Sequence, residues 1–428
     1  MIIAYTCLFY LIQPLIWLRL IWRSRKAPDY RKRWVERYGF CQGKVKPHGI
    51  LVHCVSVGET IAAIPLIKQL QKRYPQLPIT VTTMTPTGSK QVIKSFGDSV
   101  SHVYLPYDLP GATKRFLNIL QPKIVIIMET ELWPNLITIL YKRKIPLIIA
   151  NARLSERSAR GYARLRKTMQ RLLIKITHIA VQNQDDGQRF INLGLPKSHL
   201  TITGSIKFDI YLNECQQQAI AKLKSQWQTQ RPIWIAASTH YGEDDIIIMA
   251  HQMLLKKYPD LLLILVPRHP ERFINVEKRI NDYGLTYQLR SEHLIPTPQT
   301  QVILGDTMGE LMILYGLADI VFVGGSMVER GGHNPLEPAL HHLPIIMGQY
   351  TYNFKIICQQ LIDAKGLWIT ESTQQSLADK IDKLLTDKQL RQSMGDNSFA
   401  VLKQNQGALQ RLLNVIDNTI SSIGVKHQ

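Results

Sequence analysis

Cysteine is scarce in this chain of 428 residues, and no two cysteines form a CxxC pair. The five that occur are scattered along the chain: Cys7, Cys41, Cys54, Cys215 and Cys358. A disulfide framework needs paired cysteines, and a cysteine zinc site needs them closely spaced. The cysteine content therefore argues against both and fits a reducing compartment.

The chain also lacks the motifs of the commonest nucleotide-binding domains. It has no GxGxxG segment and no Walker lysine pattern, which argues against a Rossmann dehydrogenase and a P-loop enzyme. It has no nucleic-acid recognition motif and no aromatic platform on which bases could stack.

Acidic residues are too few to balance the basic ones. Lys and Arg together number 52 and Asp and Glu together 32, which gives a formal net charge of +20. This surplus predicts an anionic partner, which could be nucleic acid, acidic lipid or a phosphorylated substrate.

The amino terminus combines an apolar run with a basic cluster. Residues 1–18 are almost wholly apolar, and the basic residues that follow are Arg19, Arg23, Arg25, Lys26, Arg31, Lys32 and Arg33. A secretory signal peptide has the opposite order and a cleavage site, so we expect an uncleaved anchor over residues 1–22. Its length is marginal for a span, and the basic cluster favours the cytoplasmic side and anionic headgroups. The alternative is a buried first helix of a soluble domain.

The body of the chain alternates short β-branched runs with stretches of helical length. Seven runs occupy residues 50–57, 79–85, 102–107, 124–129, 146–150, 178–182 and 200–205, and five more occupy residues 233–238, 261–267, 301–305, 320–324 and 343–347. Apolar strands that alternate with helices indicate parallel sheets covered on both faces. The predicted fold class is α/β, with two Rossmann-like, doubly wound domains facing a cleft and an N-terminal membrane anchor helix.

The same pattern predicts the domain boundaries. We expect an N-terminal domain over residues 23–210, a Gln- and Lys-rich linker with helix formers over 211–231, and a second domain over 232–404. Residues 405–428 contain apolar positions at helical spacing and predict an amphipathic helix that packs back on the domains. Ligands of open parallel sheets bind at the carboxyl ends of the strands, so polar residues there are the candidates for a site.

Three polar segments follow predicted strands of the first domain. Glu59 begins a helix, where it could take a proton from an attacking hydroxyl or merely complement the helix dipole, which favours its ionised form. Pro65 suggests that the regular helix begins only near it. Glu129 and Glu131 could form part of a site or cap the next helix. Lys207 could neutralise a phosphate or carboxylate, or could be solvated.

The second domain contains the strongest candidates for a nucleotide site. Arg268 leaves a strand after Pro267, where its guanidinium can pair with a phosphate in a bidentate manner. Residues 324–326 and 331–337 are glycine-rich, and such segments can direct backbone amides at an anion. Within the latter, Glu337 could accept both ribose hydroxyls. A purely structural glycine loop is the alternative.

These segments, in this order, resemble the 3-deoxy-D-manno-octulosonic acid (Kdo) transferases of Gram-negative bacteria. The motifs are HxVSVGE at residues 53–59, TTMTPTG at 82–88, METELWPN at 128–135, NARLS at 151–155 and GGHNPLE at 331–337. The resemblance covers essentially the whole chain. It implies the two-domain glycosyltransferase B fold, with the acceptor side in the first domain and the nucleotide sugar in the second.

The resemblance also implies an activity and roles for residues. The enzyme would attach Kdo from CMP-Kdo to the lipid A precursor (lipid IVA), inverting the anomeric centre, with no metal and no cofactor. Glu59 would be the general base, and Glu129 and Lys207 would stabilise the transition state. The residues implied to contact CMP are Pro267, Arg268, Met308, Gly309, Glu310, Asn334, Pro335, Leu336 and Glu337.

The implied partners are CMP-Kdo, the lipid A precursor and the anionic surface of the inner membrane, with no nucleic acid. The implied location is the cytoplasmic face of the inner membrane. A fold-related enzyme such as a UDP-sugar epimerase is an alternative, although it should need no lipid anchor. A protein that binds an anionic polymer is a further alternative that the charge alone would allow.

Overall fold

The computed structural model of the protein describes residues 2–25, 27–227 and 231–424. Met1 of the expected anchor, Lys26 of the basic cluster, residues 228–230 of the expected linker and residues 425–428 of the expected terminal helix lie outside them. The chain divides into two compact units, one of Met1–Asp209 with Gln406–Gln428 and the other of Ile210–Asn405.

Each unit is built on a seven-stranded parallel sheet. In the first unit the strands are β1 Ile50–His53, β2 Ile79–Thr83, β3 Ser101–Tyr104, β4 Ile124–Met128, β5 Leu147–Ala152, β6 His178–Val181 and β7 Leu200–Ile202. In the second they are β8 Ile233–Thr239, β9 Leu262–Pro267, β10 Tyr287–Leu289, β11 Val302–Leu304, β12 Ile320–Val323, β13 Ile345–Met347 and β14 Leu367–Ile369. The spatial orders are β3-β2-β1-β4-β5-β6-β7 and β10-β11-β9-β8-β12-β13-β14, so the predicted α/β class with two doubly wound sheets is confirmed.

Helices connect the strands. In the first unit they are α1 Ile2–Leu11, α2 Gln13–Ser24, α3 Val57–Arg73, α4 Pro86–Phe96, α5 Pro110–Leu120, α6 Pro134–Lys142, α7 Glu156–Ala163, α8 Arg166–Leu173 and α9 Gln184–Asn192. In the second they are α10 Glu214–Trp227, α11 Asp244–Leu255, α12 Phe273–Asp282, α13 Leu311–Tyr315, α14 Leu336–Ala339, α15 Lys355–Asp363, α16 Gln374–Thr386 and α17 Lys388–Asn405. The last helix, α18 Ala408–Ser422, returns to the first unit.

The central strands of both sheets are apolar along their whole length. Every side chain of β4 and of β9 is buried, as expected of strands that are covered by helices on both faces. Two short strands, β10 and β14, were not predicted. They lie at the edges of the second sheet and are only partly buried. The segment of β10 has no apolar run, whereas that of β14 is apolar but only three residues long.

Helix α18 completes the core of the first unit. Its apolar residues Leu412, Leu413, Ile416 and Ile420 are buried in one cluster with side chains of α3, β1 and β4. Burying each such side chain contributes roughly 1.5–3 kcal/mol. The predicted amphipathic helix is therefore part of the core of the first unit.

Helix α3 begins earlier than the sequence suggested. It starts at Val57 and continues through Pro65 to Arg73. The expectation that Pro65 would delay the regular helix was wrong. Pro65 removes the amide that would bond one turn earlier, yet the helix is held by the packing of Leu66, Ile67 and Leu70 in the core.

The amino-terminal helices pack against the first unit along one side only. Leu20 is buried beside Tyr107 and Leu109, whereas many apolar side chains are exposed, among them Leu8, Leu11, Leu15, Leu18 and Trp22. No single helix within the described residues has both the length and the apolar character to cross a bilayer. Helices α1 and α2 together have that length and apolar character, but a bend of 49° separates them.

Candidate active site

The first sheet reverses its strand order between β1 and β4, and polar residues follow both strands. Such a reversal at the carboxyl ends of parallel strands is where ligands bind in open α/β sheets. The two strands pair in register, with His53 opposite Ile127. The segments that carry Glu59 and Glu129 therefore leave the sheet side by side.

Glu59 lies half-buried in the first turn of α3, and two hydrogen bonds hold its carboxylate. Its Oε2 accepts from the Val55 amide at 2.7 Å, and its Oε1 accepts from the Ser56 hydroxyl at 3.0 Å. Burial raises the pKa of Glu59, these hydrogen bonds oppose the rise, and the charge of Glu129 adds to it. The net direction is opposite to the one that a helix dipole alone predicts, so the carboxylate is a stronger base than the sequence suggested.

Glu129 begins the turn after β4 in the left-handed backbone region, with φ 56°. This conformation is costly for a residue with a side chain, and such strain is concentrated at functional sites. Its amide donates to the carbonyl of Ala150 at 2.8 Å, and its carboxylate lies 3.3 Å from Nε of Arg153. The carboxylate thus pairs with a cation of the NARLS segment, and no described hydrogen bond shows it capping a helix.

Lys207 lies in a short 3-10 turn, Ile206–Phe208, after β7. The Ile206 amide donates to Oδ1 of the buried Asn151 at 3.2 Å, which ties the turn to the sheet. Burial lowers the pKa of Lys207, and the charges of Glu129 and Glu59 oppose this while Arg153 adds to it. The structure therefore brings Lys207 into electrostatic range of both predicted carboxylates.

Glu131 belongs to the same cluster, although it was not among the predicted catalytic residues. It is half-buried, and burial, followed by the charges of Glu59 and Glu129, raises its pKa to about 7. Its place two residues after Glu129 was the available signal. Sequence spacing alone could not show that both side chains face one site.

His53, the first residue of the HxVSVGE motif, contacts residues of two other motifs. Its side chain is buried, its Nδ1 lies 3.0 Å from Oγ1 of Thr82, and its ring meets Trp133 edge-on. Burial lowers its pKa to about 4, so the ring is neutral near pH 7. This histidine joins three of the resembling motifs through packing.

The second sheet reverses its strand order between β8 and β12, and the predicted nucleotide residues surround that point. Pro267 ends β9, and the amide of Arg268 donates to the carbonyl of Thr239 at 3.0 Å. The side chain of Arg268 is exposed. Its charge lowers the pKa of Glu337 and of His333, so the first and last predicted segments lie close together.

The GGHNPLE segment forms a compact polar turn ahead of α14. Oδ1 of Asn334 accepts from the Leu336 amide at 3.1 Å, and Nδ2 of Asn334 lies 3.3 Å from Oε1 of Glu337. Burial raises the pKa of Glu337, and Asn334 and Arg268 lower it. Pro335 immediately precedes the helix as its N-cap. The carboxylate of Glu337 is therefore oriented by Asn334.

The segment of Met308, Gly309 and Glu310 follows β11, next to β9 in the sheet. Met308 is exposed and Gly309 is left-handed, with φ 91°. Oε1 of Glu310 accepts from Nη2 of Arg290 at 3.0 Å, and its Oε2 accepts from the Thr307 hydroxyl at 2.5 Å. The Glu310 carboxylate thus holds its own loop in shape, and the exposed residues of the segment are Met308 and Gly309.

The glycine-rich turn after β12 does bind an anion, but the anion belongs to the chain. The fully buried carboxylate of Glu243 accepts from the amides of Gly325, Ser326 and Met327 at 2.8, 3.0 and 2.9 Å. It also accepts from the His240 amide at 2.8 Å. The expectation that these amides face a nucleotide was therefore wrong. No local pattern indicates that Glu243, over 80 residues away in the chain, accepts hydrogen bonds from these amides.

Together these features define the class of the protein. Two doubly wound parallel sheets, one with a cluster of carboxylates and a lysine at its reversal point and one with a cationic, glycine-rich site, are typical of nucleotide-sugar enzymes of the glycosyltransferase B type. A solved UDP-GlcNAc 2-epimerase from Neisseria meningitidis has a similar fold, with a TM-score of 0.55 and 16% identity over 86% of this chain and 99% of that one.

Sequence relationships identify the family. Residues 32–210 match the family 3-Deoxy-D-manno-octulosonic-acid transferase (kdotransferase), and residues 230–401 match Glycosyl transferases group 1. The chain is 50% identical to a 3-deoxy-D-manno-octulosonic acid transferase of Haemophilus influenzae over 96% of this chain and 97% of the relative. It is 33% identical to one of Bordetella pertussis over 97% and 98%. The chain therefore belongs to the 3-deoxy-D-manno-octulosonic acid transferase family and is a glycosyltransferase.

Proposed function

We propose that this chain transfers Kdo from CMP-Kdo to the lipid A precursor (lipid IVA), with inversion of the anomeric centre, in the synthesis of the lipopolysaccharide core. The choice of sugar and acceptor is supported by the relationship to the H. influenzae and B. pertussis transferases. The mechanism is supported by one observation above all, the carboxylate of Glu59 held at the reversal point of the first sheet.

Glu59 is the general base of this proposal. Its carboxylate takes the proton of the acceptor hydroxyl while the hydroxyl oxygen bonds to the anomeric carbon of Kdo. The bond from that carbon to the phosphate breaks, and its electron pair leaves with CMP. The hydrogen bonds from Val55 and Ser56 fix the carboxylate. Its raised pKa makes the proton transfer more favourable.

Glu129 and Lys207 act on the charges of the reacting groups. Donor and acceptor are both anionic, and Lys207 supplies a positive charge in a partly desolvated setting, where such a charge acts strongly. Burial lowers the pKa of Lys207, and the charge of Glu129 opposes this and so favours the protonated amine. In this proposal Glu129 also sets the position of the Arg153 guanidinium.

The second unit holds the nucleotide. The exposed guanidinium of Arg268, next to Pro267, suits a phosphate, and the Glu337 carboxylate, oriented by Asn334, suits the two ribose hydroxyls. Leu336 and Pro335 shape the turn that carries Glu337, and the loop of Met308, Gly309 and Glu310 lies next to β9 on the same edge of the sheet.

The proposal places the enzyme on the cytoplasmic face of the inner membrane. The exposed apolar side chains of α1 and α2 and the basic residues that follow them support contact with an anionic bilayer surface. The proposal requires neither a metal nor a cofactor, because Lys207 and Arg153 supply positive charge at the site.

The rival functions are less well supported. The likeness to a UDP-GlcNAc 2-epimerase is at 16% identity and concerns the fold alone, whereas the transferase relatives match nearly the whole chain. A protein that only binds an anionic polymer would have no use for a desolvated cluster of Glu59, Glu129 and Lys207.

The direct test is transfer by the purified enzyme. CMP-Kdo and lipid IVA should together yield Kdo-lipid and CMP in equal amounts, with little CMP when lipid is omitted, and a metal chelator should not reduce the rate. Arg268→Ala and Glu337→Ala should each weaken CMP binding by about 1.5–3 kcal/mol, the contribution of a hydrogen bond to a charged group. Failure to transfer Kdo to any lipid A precursor would refute the proposed function.

A further inference from the structure

Two histidines face each other at the reversal point of the second sheet. His240 follows β8, and His333 belongs to the turn that precedes α14. Their Nε2 atoms lie 2.8 Å apart, and their rings are nearly parallel, with an angle of 4° and centroids 5.1 Å apart. Both side chains are half-buried, so a ligand at this edge of the sheet can reach them.

The fold makes room for this pair at Gly325. A Cβ atom on Gly325 would lie 3.0 Å from Cδ2 of His333 and 3.3 Å from Cδ2 of His240. The carbonyl of Gly325 accepts from the Gly332 amide at 2.7 Å, and that of Gly324 accepts from the His333 amide at 3.2 Å. These bonds hold the second glycine segment against the first, so the position of the pair is set by backbone.

The distance between the two nitrogens defines how many protons they carry. Two ring nitrogens at 2.8 Å need one proton between them, because two lone pairs repel and two N–H groups collide. One Nε2 is therefore a donor and the other an acceptor.

The surroundings oppose a second proton on the pair, meaning one that would protonate both Nε2 atoms and make the pair cationic. The cationic or titratable groups that face it are Arg268, Arg272, Arg330 and His269. Arg272 is paired with Asp244, and the Glu243 carboxylate is engaged by four amides, including that of His240. Burial lowers the pKa of both His240 and His333 to about 4, and the charge of Arg268 contributes to the lowering at both. The free enzyme is thus neutral at this pair near pH 7.

We propose that the His240–His333 pair binds the phosphate of the donor nucleotide and takes up one proton as it does so. The inference rests on the proposed function and adds a phosphate contact to it. A phosphate beside Arg268 offsets the charge of that residue and places a negative charge near the pair, which favours a second proton on it. With that proton both Nε2 atoms donate to phosphate oxygens and no longer to each other.

The extra proton suits the chemistry of the leaving group. The phosphate of CMP-Kdo is a diester with one negative charge. When the bond to the anomeric carbon breaks, its electron pair stays on the phosphate oxygen and the charge of CMP becomes two. When both Nε2 atoms carry a proton, the pair has one positive charge. That charge stabilises the phosphate oxygen as its second negative charge develops.

Calorimetry with the methyl ester of CMP measures proton uptake by the protein alone, because a phosphodiester does not titrate near neutral pH. Binding is measured between about pH 6 and pH 8 in buffers of different ionisation enthalpy. We expect net proton uptake of up to about one proton and an affinity that falls by up to about tenfold per pH unit as pH rises. His333→Gln and His240→Gln should each abolish the uptake. His342→Asn, which changes a histidine paired with Asp396 elsewhere in the unit, should keep it.

The outcomes separate this inference from the function on which it rests. Binding of the ester by the unaltered enzyme with no proton uptake overturns the role of the pair and leaves the proposed function standing. Uptake that persists in both histidine variants also overturns it. Absence of binding of both CMP and its ester at every pH overturns the nucleotide site itself.

Discussion

The carboxylate of Asp209 accepts a hydrogen bond from the backbone amide of Gly407 at 2.6 Å, although the two residues are 198 positions apart. Its second oxygen accepts from the Leu409 amide at 2.5 Å. Asp209 ends the first part of the first unit, and Gly407 immediately precedes α18, where the chain returns to it. One side chain therefore caps the helix that closes the core.

Asp209→Ala should destabilise the first unit by about 1–3 kcal/mol, because amides at the start of α18 lose their charged partner. Chemical denaturation should show a lower midpoint for the unit. Asp98→Ala, at an exposed aspartate of the same unit, is the control and should change stability by less than about 0.5 kcal/mol. Equal stability of the two variants would show that the cap is unimportant.

Glu243→Ala should both destabilise the second unit and weaken nucleotide binding. Each buried amide that loses its partner costs about 1–3 kcal/mol, and the turn that positions His333 would shift. Denaturation and CMP calorimetry on the variant measure the two effects, with the exposed Glu271→Ala as control. A stable variant that binds CMP normally would contradict the structural role of the carboxylate.

Glu131→Gln should stabilise the protein above neutral pH. The folded-state pKa of Glu131 is raised to about 7 by burial and by Glu59 and Glu129. A raised pKa means that the folded state binds the proton more tightly, so its stabilising effect is complete below about pH 4.3 and is lost as pH rises through 7. The variant should gain about 1–3 kcal/mol over the parent at about pH 8 and nothing at about pH 4. Glu156→Gln, at an exposed glutamate, should show no such dependence.

The exposed side of α1 and α2 should determine how firmly the enzyme holds to membranes. Substituting Leu8, Leu15 and Leu18 by Gln removes apolar contact but leaves the basic cluster. The variant should be released from inner-membrane vesicles at about 1 M salt, where the Debye length is about 3 Å, whereas the parent should stay bound. Ile274→Gln with Ile356→Gln, at exposed positions of the second unit, is the control. Release of the parent under the same wash would contradict the anchor.

The sequence predicted the elements whose signal is local. The central strands are continuous apolar runs, and α18 shows helical spacing, so both were found. Glu59 and Arg268 were chosen as candidates because each lies shortly after such a strand. Strand β10 was missed because its segment has no apolar run, whereas β14 was missed although Leu367–Ile369 is apolar.

Features that depend on distant partners could not be read from the sequence. The amides of the turn after β12 were expected to hold a ligand, but Glu243 fills them. The raised pKa of Glu59 results from burial, which outweighs the helix-terminus effect that the sequence suggested. Contact between His240 and His333 depends on the missing side chain at Gly325.

Kdo transfer by Glu59→Gln, measured together with the CMP affinity of the same variant, decides whether Glu59 is the general base. Glutamine keeps the shape of the side chain but cannot take the proton, so the rate should fall by about 10²–10⁴. CMP affinity should be unchanged, because the proposed nucleotide contacts are all in the second unit. Glu156→Gln should transfer Kdo at the parental rate. Near-normal transfer by Glu59→Gln would show that Glu59 is not the general base.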